Sequence, residues 1–121
     1  MTNREVREWY LREVARIAEL DATWQARGDS LGERARQAWE HRYELRLRAR
    51  DMMEDPAEVE TLRERDRIKY GRSDGPAFEQ LLQRLLSQGR SIEAAHKLII
   101  EAARSTSSAF NDLMQIRPPN P

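Results

Sequence analysis

From Leu31 to Met53 the chain reads LGERARQAWEHRYELRLRARDMM, and its apolar residues Leu31, Ala35, Ala38, Trp39, Leu45, Ala49, Met52 and Met53 recur at spacings of three and four. That period is the signature of a long amphipathic helix. Two arginines break the stripe: Arg42 stands between Ala38 and Leu45, and Arg46 one turn later. A guanidinium on the face that a helix buries must pair with an acid or point into a polar cavity, because an unpaired buried charge costs several kcal/mol. The central helix therefore marks both the core of the fold and the first place to look for function.

The other segments follow the same period. Asn3 is placed to cap a first helix running to about Leu20, with Val6, Trp9, Tyr10, Val14, Ile17 and Leu20 on one face and Glu13 among them. Glu13 is directed inward, with Arg42 as its natural partner. The pattern lapses from Asp21 to Asp29, around Trp24 and Gly28, which predicts a connection with one aromatic turned in. Ser30 and Glu33 form a capping box for the central helix. Asp55 and Pro56 open a third helix to about Tyr70, whose stripe of Val59, Leu62 and Tyr70 is completed by Asp66. Gly71 stops it, and GRSDGP is the clearest loop. Pro76 opens a fourth helix with Phe78, Leu81, Leu82, Leu85 and Leu86 on its packing face, and Gly89 ends it. Ser91 caps a fifth, whose stripe runs from Ile92 through Ile99 to Phe110, Leu113 and Met114. No segment alternates with period two, so the predicted class is all-α, about five helices in a compact orthogonal or bundle-like array. Residues 1–116 form one predicted domain, and Arg117 to Pro121, with three prolines, an extended tail.

Composition excludes several functions. The formal net charge is zero, so any nucleic-acid contact has to come from a local patch. The chain has no cysteine and only two histidines, His41 and His96, which removes thiol nucleophiles, disulfides and a His-rich zinc site. Zinc-deaminase, P-loop, dinucleotide-fold, HExxH and GxSxG signatures are all missing. No apolar run reaches the length of a signal-peptide core or a membrane span, which predicts a soluble chain with no membrane partner, and the missing motifs predict no cofactor. Of 21 basic residues, 19 are arginines, Lys69 and Lys97 being the exceptions.

The remaining candidates are arginines, acids, histidines and hydroxyls. Arg42, Arg46 and Arg50 form a one-turn-spaced guanidinium row suited to bidentate grip on phosphate or carboxylate, or equally to ion pairs with Glu13 and Asp66. Glu13 and Asp66 are candidate general bases or ties for Arg42. His41, off the apolar sector and predicted to be solvent-exposed, and His96, near the start of the fifth helix, are candidate proton-transfer groups. Arg104 and Thr106, in EAARSTSSAF, are unusually polar for a late packing helix. Trp9, Tyr10 and Trp39 read as core.

EVREWY at Glu5 to Tyr10, the pattern A-x-x-A-W-x-x-R-x-x-x-R-x-x-A-R-x-M-M from Ala35 to Met53, DPAEVE at Asp55 to Glu60, KYGRSDGPAFE from Lys69 to Glu79 and IIEAARST from Ile99 to Thr106 together resemble a helical domain found at the C-terminal ends of bacterial polymorphic toxins, behind Rhs-repeat or filamentous-haemagglutinin-like scaffolds. This chain departs from the pattern in carrying Tyr43 where a histidine is often found, and Ser after the RxT element in place of Asn. The resemblance implies an effector tip, secreted as part of a larger protein, acting in the target-cell cytoplasm and neutralised by a cognate immunity protein. It brings forward Arg42, Arg46, Arg50, Asp66, Lys69, Asp74, Arg104 and Thr106. Two functions stay open at this point. One is a metal-independent toxin enzyme acting on a phosphate-bearing target such as RNA, with Arg42, Arg46, Asp66, His41, His96 and Glu13 as catalytic candidates and Arg50, Lys69, Asp74, Arg104 and Thr106 as substrate-binding ones. The other is a noncatalytic helical module that binds a protein partner.

Overall fold

In a computed structural model, residues 1–72 and 76–107 are described, apart from the Tyr70 side chain. The all-α expectation holds for them, with six helices: α1 Asn3–Ala15, α2 Ile17–Ala26, α3 Leu31–Met52, α4 Pro56–Tyr70, α5 Phe78–Ser87 and α6 Ile92–Arg104. The predicted tail and the stripe residues Phe110, Leu113 and Met114 lie outside the described residues, as does Asp74.

The first predicted helix is two helices. The ladder breaks at Arg16, whose N–H bonds back to the Glu13 carbonyl at 3.2 Å, and the chain restarts at Ile17. The stretch predicted as a connection from Asp21 onward is therefore mostly helix, and only residues 27–30 make the turn. The reason lies in Asp21. It is buried and clasped by Arg34 of α3 in a two-point pair, Nε to Oδ1 and Nη2 to Oδ2 both at 2.8 Å. That pair supplies an inward anchor where the apolar pattern had none. Trp24 does turn inward, packing half-buried against the apolar cluster that contains Val14, Ile17 and Leu45.

The helix boundaries follow capping chemistry. Ser30 and Glu33 form the predicted capping box, and Asp55 accepts from the Ala57 N–H at 2.9 Å ahead of Pro56. Ser91 caps α6. At the N-terminus the cap is Thr2 rather than Asn3, in a second capping box with Glu5. Asn3 instead reaches Glu58 on α4 and accepts from the Glu54 N–H at 3.2 Å. Gly71 ends α4 in the left-handed region at φ 74°, which a residue with a Cβ rarely adopts.

Helix α3 lies at the centre, packed most extensively on α6 and then on α1 and α2. One apolar cluster joins the N-terminal half of α3 to α5 and α6 through Trp39, Leu81, Leu85 and Ile99; the other joins α1 and α2 to α3 and α6 through Val14, Ile17, Leu45 and Ala103. Neither cluster contains a residue of α4. Val59 and Leu62 are half-buried, and among the described side chains of α4 only Asp66 is buried, at 1% exposed. Helix α4 is thus held by polar ties: Asp66 at its C-terminal half, and Glu58, which accepts from Arg7 at 2.8 Å and from Asn3, at its N-terminal half.

Candidate functional site

The arginine row divides into two structural ties. Arg42, 3% exposed, has Tyr10 and the end of α6 around it. Its Nε donates to the Tyr10 hydroxyl at 2.6 Å, and its Nη1 donates to the carbonyls of Ala103 at 2.9 Å and Ser105 at 2.8 Å. These carbonyls belong to the last turn of a helix, where acceptors lack intrahelical donors and carry the negative end of the helix dipole. A buried cation therefore serves as the C-terminal cap of α6. Burial pushes the Arg42 guanidinium below its ordinary value; the Tyr10 hydroxyl opposes this, and the neighbouring charge of Arg46 adds to it. Arginine stays protonated near neutrality even so.

Glu13 is not the partner of Arg42. It is half-buried beside the break at Arg16, in an ion pair with Arg16 at 3.4 Å. The helical period places Glu13 near the inward stripe, but the break at Arg16 and the phenol of Tyr10, one turn earlier, give Arg42 a different neighbour. Asp66 does face the core as predicted, and its Oδ2 accepts from both Arg46 and Arg50, with Arg65 3.8 Å from Oδ1. The expected ion pair with Asp66 is observed for Arg46 and Arg50, whereas Arg42 is tied internally by a phenol and two carbonyls, neither Glu13 nor Asp66 being a partner that its bonds show.

The histidines have separate surroundings. His96 is half-buried between α3 and α5, stacked on Phe78 with ring centroids 6.5 Å apart. Arg36 stacks over the Phe78 ring at 4.8 Å. A Cβ at Gly32 would lie 3.0 Å from His96 Cε1, so glycine at that point of α3 is what lets the ring sit there. His96 is a packing residue, remote from the other candidates. His41, predicted to be exposed, is half-buried. It lines a recess of about 310 Å³ with Glu13, Arg16, Glu19, Leu20 and Thr23, where α1 and α2 meet α3. Two carboxylates, an imidazole, a guanidinium and a hydroxyl thus share one solvent-open space. It lies at the break, with Glu13 before Arg16 and Glu19, Leu20 and Thr23 after it. The sequence pattern brings out Glu13 and His41 separately but not Arg16 and Glu19, which lie off the apolar stripe of the predicted first helix, nor Thr23, which falls in the predicted connection.

Of the other candidates, Lys69, Arg104 and Thr106 are exposed, and none lines this recess. Among the described residues, no group of three or more His, Asp or Glu side chains is arranged to hold a metal ion, and no helix is long and apolar enough to cross a membrane. No protein-family model, curated protein or solved structure matches the chain. The functional reading rests on the geometry and on the motif resemblance.

Proposed function

We propose that this chain is the effector tip of a bacterial polymorphic toxin, acting on a phosphate-bearing target, RNA foremost, through the recess lined by His41 and Glu13. The observation that carries the reading is that recess, with an imidazole, two carboxylates, a guanidinium and a hydroxyl from three helices around one open space. These groups can supply the base, the acid and the cation that phosphodiester transfer uses. The Glu13 carboxylate takes the proton of the attacking 2′-hydroxyl as the O2′–P bond forms. His41 gives a proton to the departing 5′-oxygen as the P–O5′ bond breaks, and Arg16 holds the charge gathering on the phosphoryl oxygens. A zero net charge fits such a local site better than a duplex-wide electrostatic footprint. Delivery within a larger secreted protein, action in the target-cell cytoplasm and neutralisation by an immunity protein belong to the same proposal.

The test is inducible expression in the bacterial cytoplasm, with growth and total RNA followed alongside His41→Ala and Glu13→Gln. The reading expects growth arrest with fragmented RNA, abolished by both substitutions while the proteins stay folded. Arrest with intact RNA, or fragmentation that survives both substitutions, overturns it. A second reading, a noncatalytic helical module for a protein partner, is favoured by one observation: the three buried-face arginines engage α1, α4 and α6 internally. It expects normal growth and good soluble yield.

A further inference from the structure

The seam between α1 and α3 has two edges. On one, Arg7, Arg46 and Arg50 are all paired with acids of α4. The other carries the His41 recess and, further along, a second pair of side chains. The helices run antiparallel: Glu13 and Arg16 share the recess with His41, while Trp9, one turn before Glu13 on α1, meets Arg48, two turns after His41 on α3. The Arg48 guanidinium carbon stands over the Trp9 ring, 5.3 Å from its centroid. Trp9 is half-buried on the apolar cluster that contains Val14, Ile17 and Leu45, and Arg48 is exposed. Among the described residues Arg48 has no carboxylate partner, in contrast to Arg46 and Arg50.

We propose that Trp9 and Arg48 form a stacking platform for one base of a single-stranded RNA whose backbone enters the His41 recess. The inference rests on the RNA reading of that recess and adds to it a subsite that selects unpaired strands. Every base has a π-face, and an unstacked base lies on an aromatic ring or an arginine plane with little regard to sequence, whereas a base inside a duplex cannot present that face. At 1.5 Å per residue the platform stands about 6 Å from Glu13 along α1 and about 10 Å from His41 along α3, within reach of a nucleotide next to the reacting phosphate. Trp9 holds the guanidinium by cation–π attraction, so Arg48 loses less freedom when a base stacks on it. Its charge, not committed to an acid, also favours the phosphates beside that base. Lysine would keep the charge but not the plane.

The experiment is a titration of the full chain with a hexamer of 2′-O-methyluridine, whose blocked 2′-oxygens remove the nucleophile, and with an abasic hexamer of the same charge, followed by the Trp9 indole N–H and Arg48 Nε resonances. The base-bearing hexamer is expected to saturate with shifts at both signals, and the abasic one to bind about tenfold more weakly. Arg48→Lys, at an exposed side chain, is expected to weaken binding of the base-bearing hexamer about tenfold and to leave the abasic one unchanged, while Arg104→Lys, exposed on α6, changes neither. No saturation at millimolar concentration, equal binding of the two hexamers, or binding indifferent to Arg48→Lys overturns the platform. The catalytic reading is tested apart from it: intact RNA in the expressing cell overturns that reading while base-dependent binding at Arg48 upholds the platform, and fragmented RNA with base-blind binding does the reverse.

Discussion

Replacing Arg42 by methionine removes the cation that closes α6 while keeping an unbranched side chain of similar length in the core. Three acceptors then lose their donor: the Tyr10 hydroxyl and the carbonyls of Ala103 and Ser105. A buried polar group left without a partner costs about 1–3 kcal/mol, and hydrogen bonds from a charged donor lie at the upper end. Against this stands the relief of no longer desolvating a guanidinium that is 3% exposed, so the losses do not simply add. A net loss of about 3 kcal/mol follows. With an unfolding entropy of about 2.1 cal/mol/K per residue over a chain of this length, that is a fall in Tm of about 12 °C. Arg42→Lys keeps the charge but not the fork, and is expected to fall about midway. Tyr10→Phe alone removes one acceptor, and the double-mutant cycle with Arg42→Met should return a coupling of about 1 kcal/mol or more. Thermal melts by circular dichroism at neutral pH compare these four variants with the unsubstituted protein. A fall of less than about 3 °C for Arg42→Met would show that α6 is not held by this cation, and the account of the arginine row given above would fail with it.

Other substitutions separate other parts of the fold. Asp66→Asn removes the carboxylate that Arg46 and Arg50 share, and amide exchange across α4 should accelerate markedly while α5 and α6 stay protected; uniform acceleration would contradict α4 as a separately held element. Asp21→Asn is expected to cost about 3 kcal/mol, because it leaves Arg34 without its two-point partner, whereas Asp21→Leu with Arg34→Met together should cost less than that by denaturant melts. The Asp29 carboxyl, bonded by Arg27 and then Gln37, is held at about 2 against an ordinary 3.8. Its folded value lies below the unfolded one, so the stability it lends is complete above about pH 4 and is lost as pH falls toward 2; carboxyl-carbon NMR titration reads it directly, and a midpoint near 3.8 would refute the pairing. Gly32→Ala should be close to neutral, since a gain of up to about 1 kcal/mol in helix propensity is opposed by pushing His96 from Phe78, and a displaced His96 ring signal is the check.

How much of this was legible in the sequence depends on what a helical period encodes. It fixes the angle of each residue about its own helix, so α3, the buried Arg42 and the inward Asp66 could all be read, and local capping chemistry located the starts of α3, α4 and α6. It does not say which neighbour faces that angle. Glu13 and Tyr10 lie one turn apart on α1, and only the packing of α1 on α3 decides that Arg42 meets the phenol. The break at Arg16 was hidden because it carries no proline or glycine, and both flanking stretches keep apolar residues at helical spacing. Asp21 was lost for a related reason: a carboxylate on a buried face looks like the end of a stripe until its arginine, on another helix, is known. The recess around His41 inherits the first difficulty: only the packing of α1 and α2 on α3 brings Glu13, Arg16, Glu19 and Thr23 to the same space as His41.

The same reasoning decides which substitutions can speak about function. Asp66, Arg46 and Arg50 are the only buried tie seen between α3 and α4 among the described residues, so loss of activity on changing any of them reports first on whether α4 is docked. Arg42 is in the same position with respect to α6. His41, Glu13 and Arg16 border open space, and their packing contribution is small; a folded variant there that loses activity has lost chemistry rather than architecture. An arginine on a buried helical face therefore marks where elements of this fold are joined, and it is the polar groups bordering solvent at the break between α1 and α2 that the proposed function calls on.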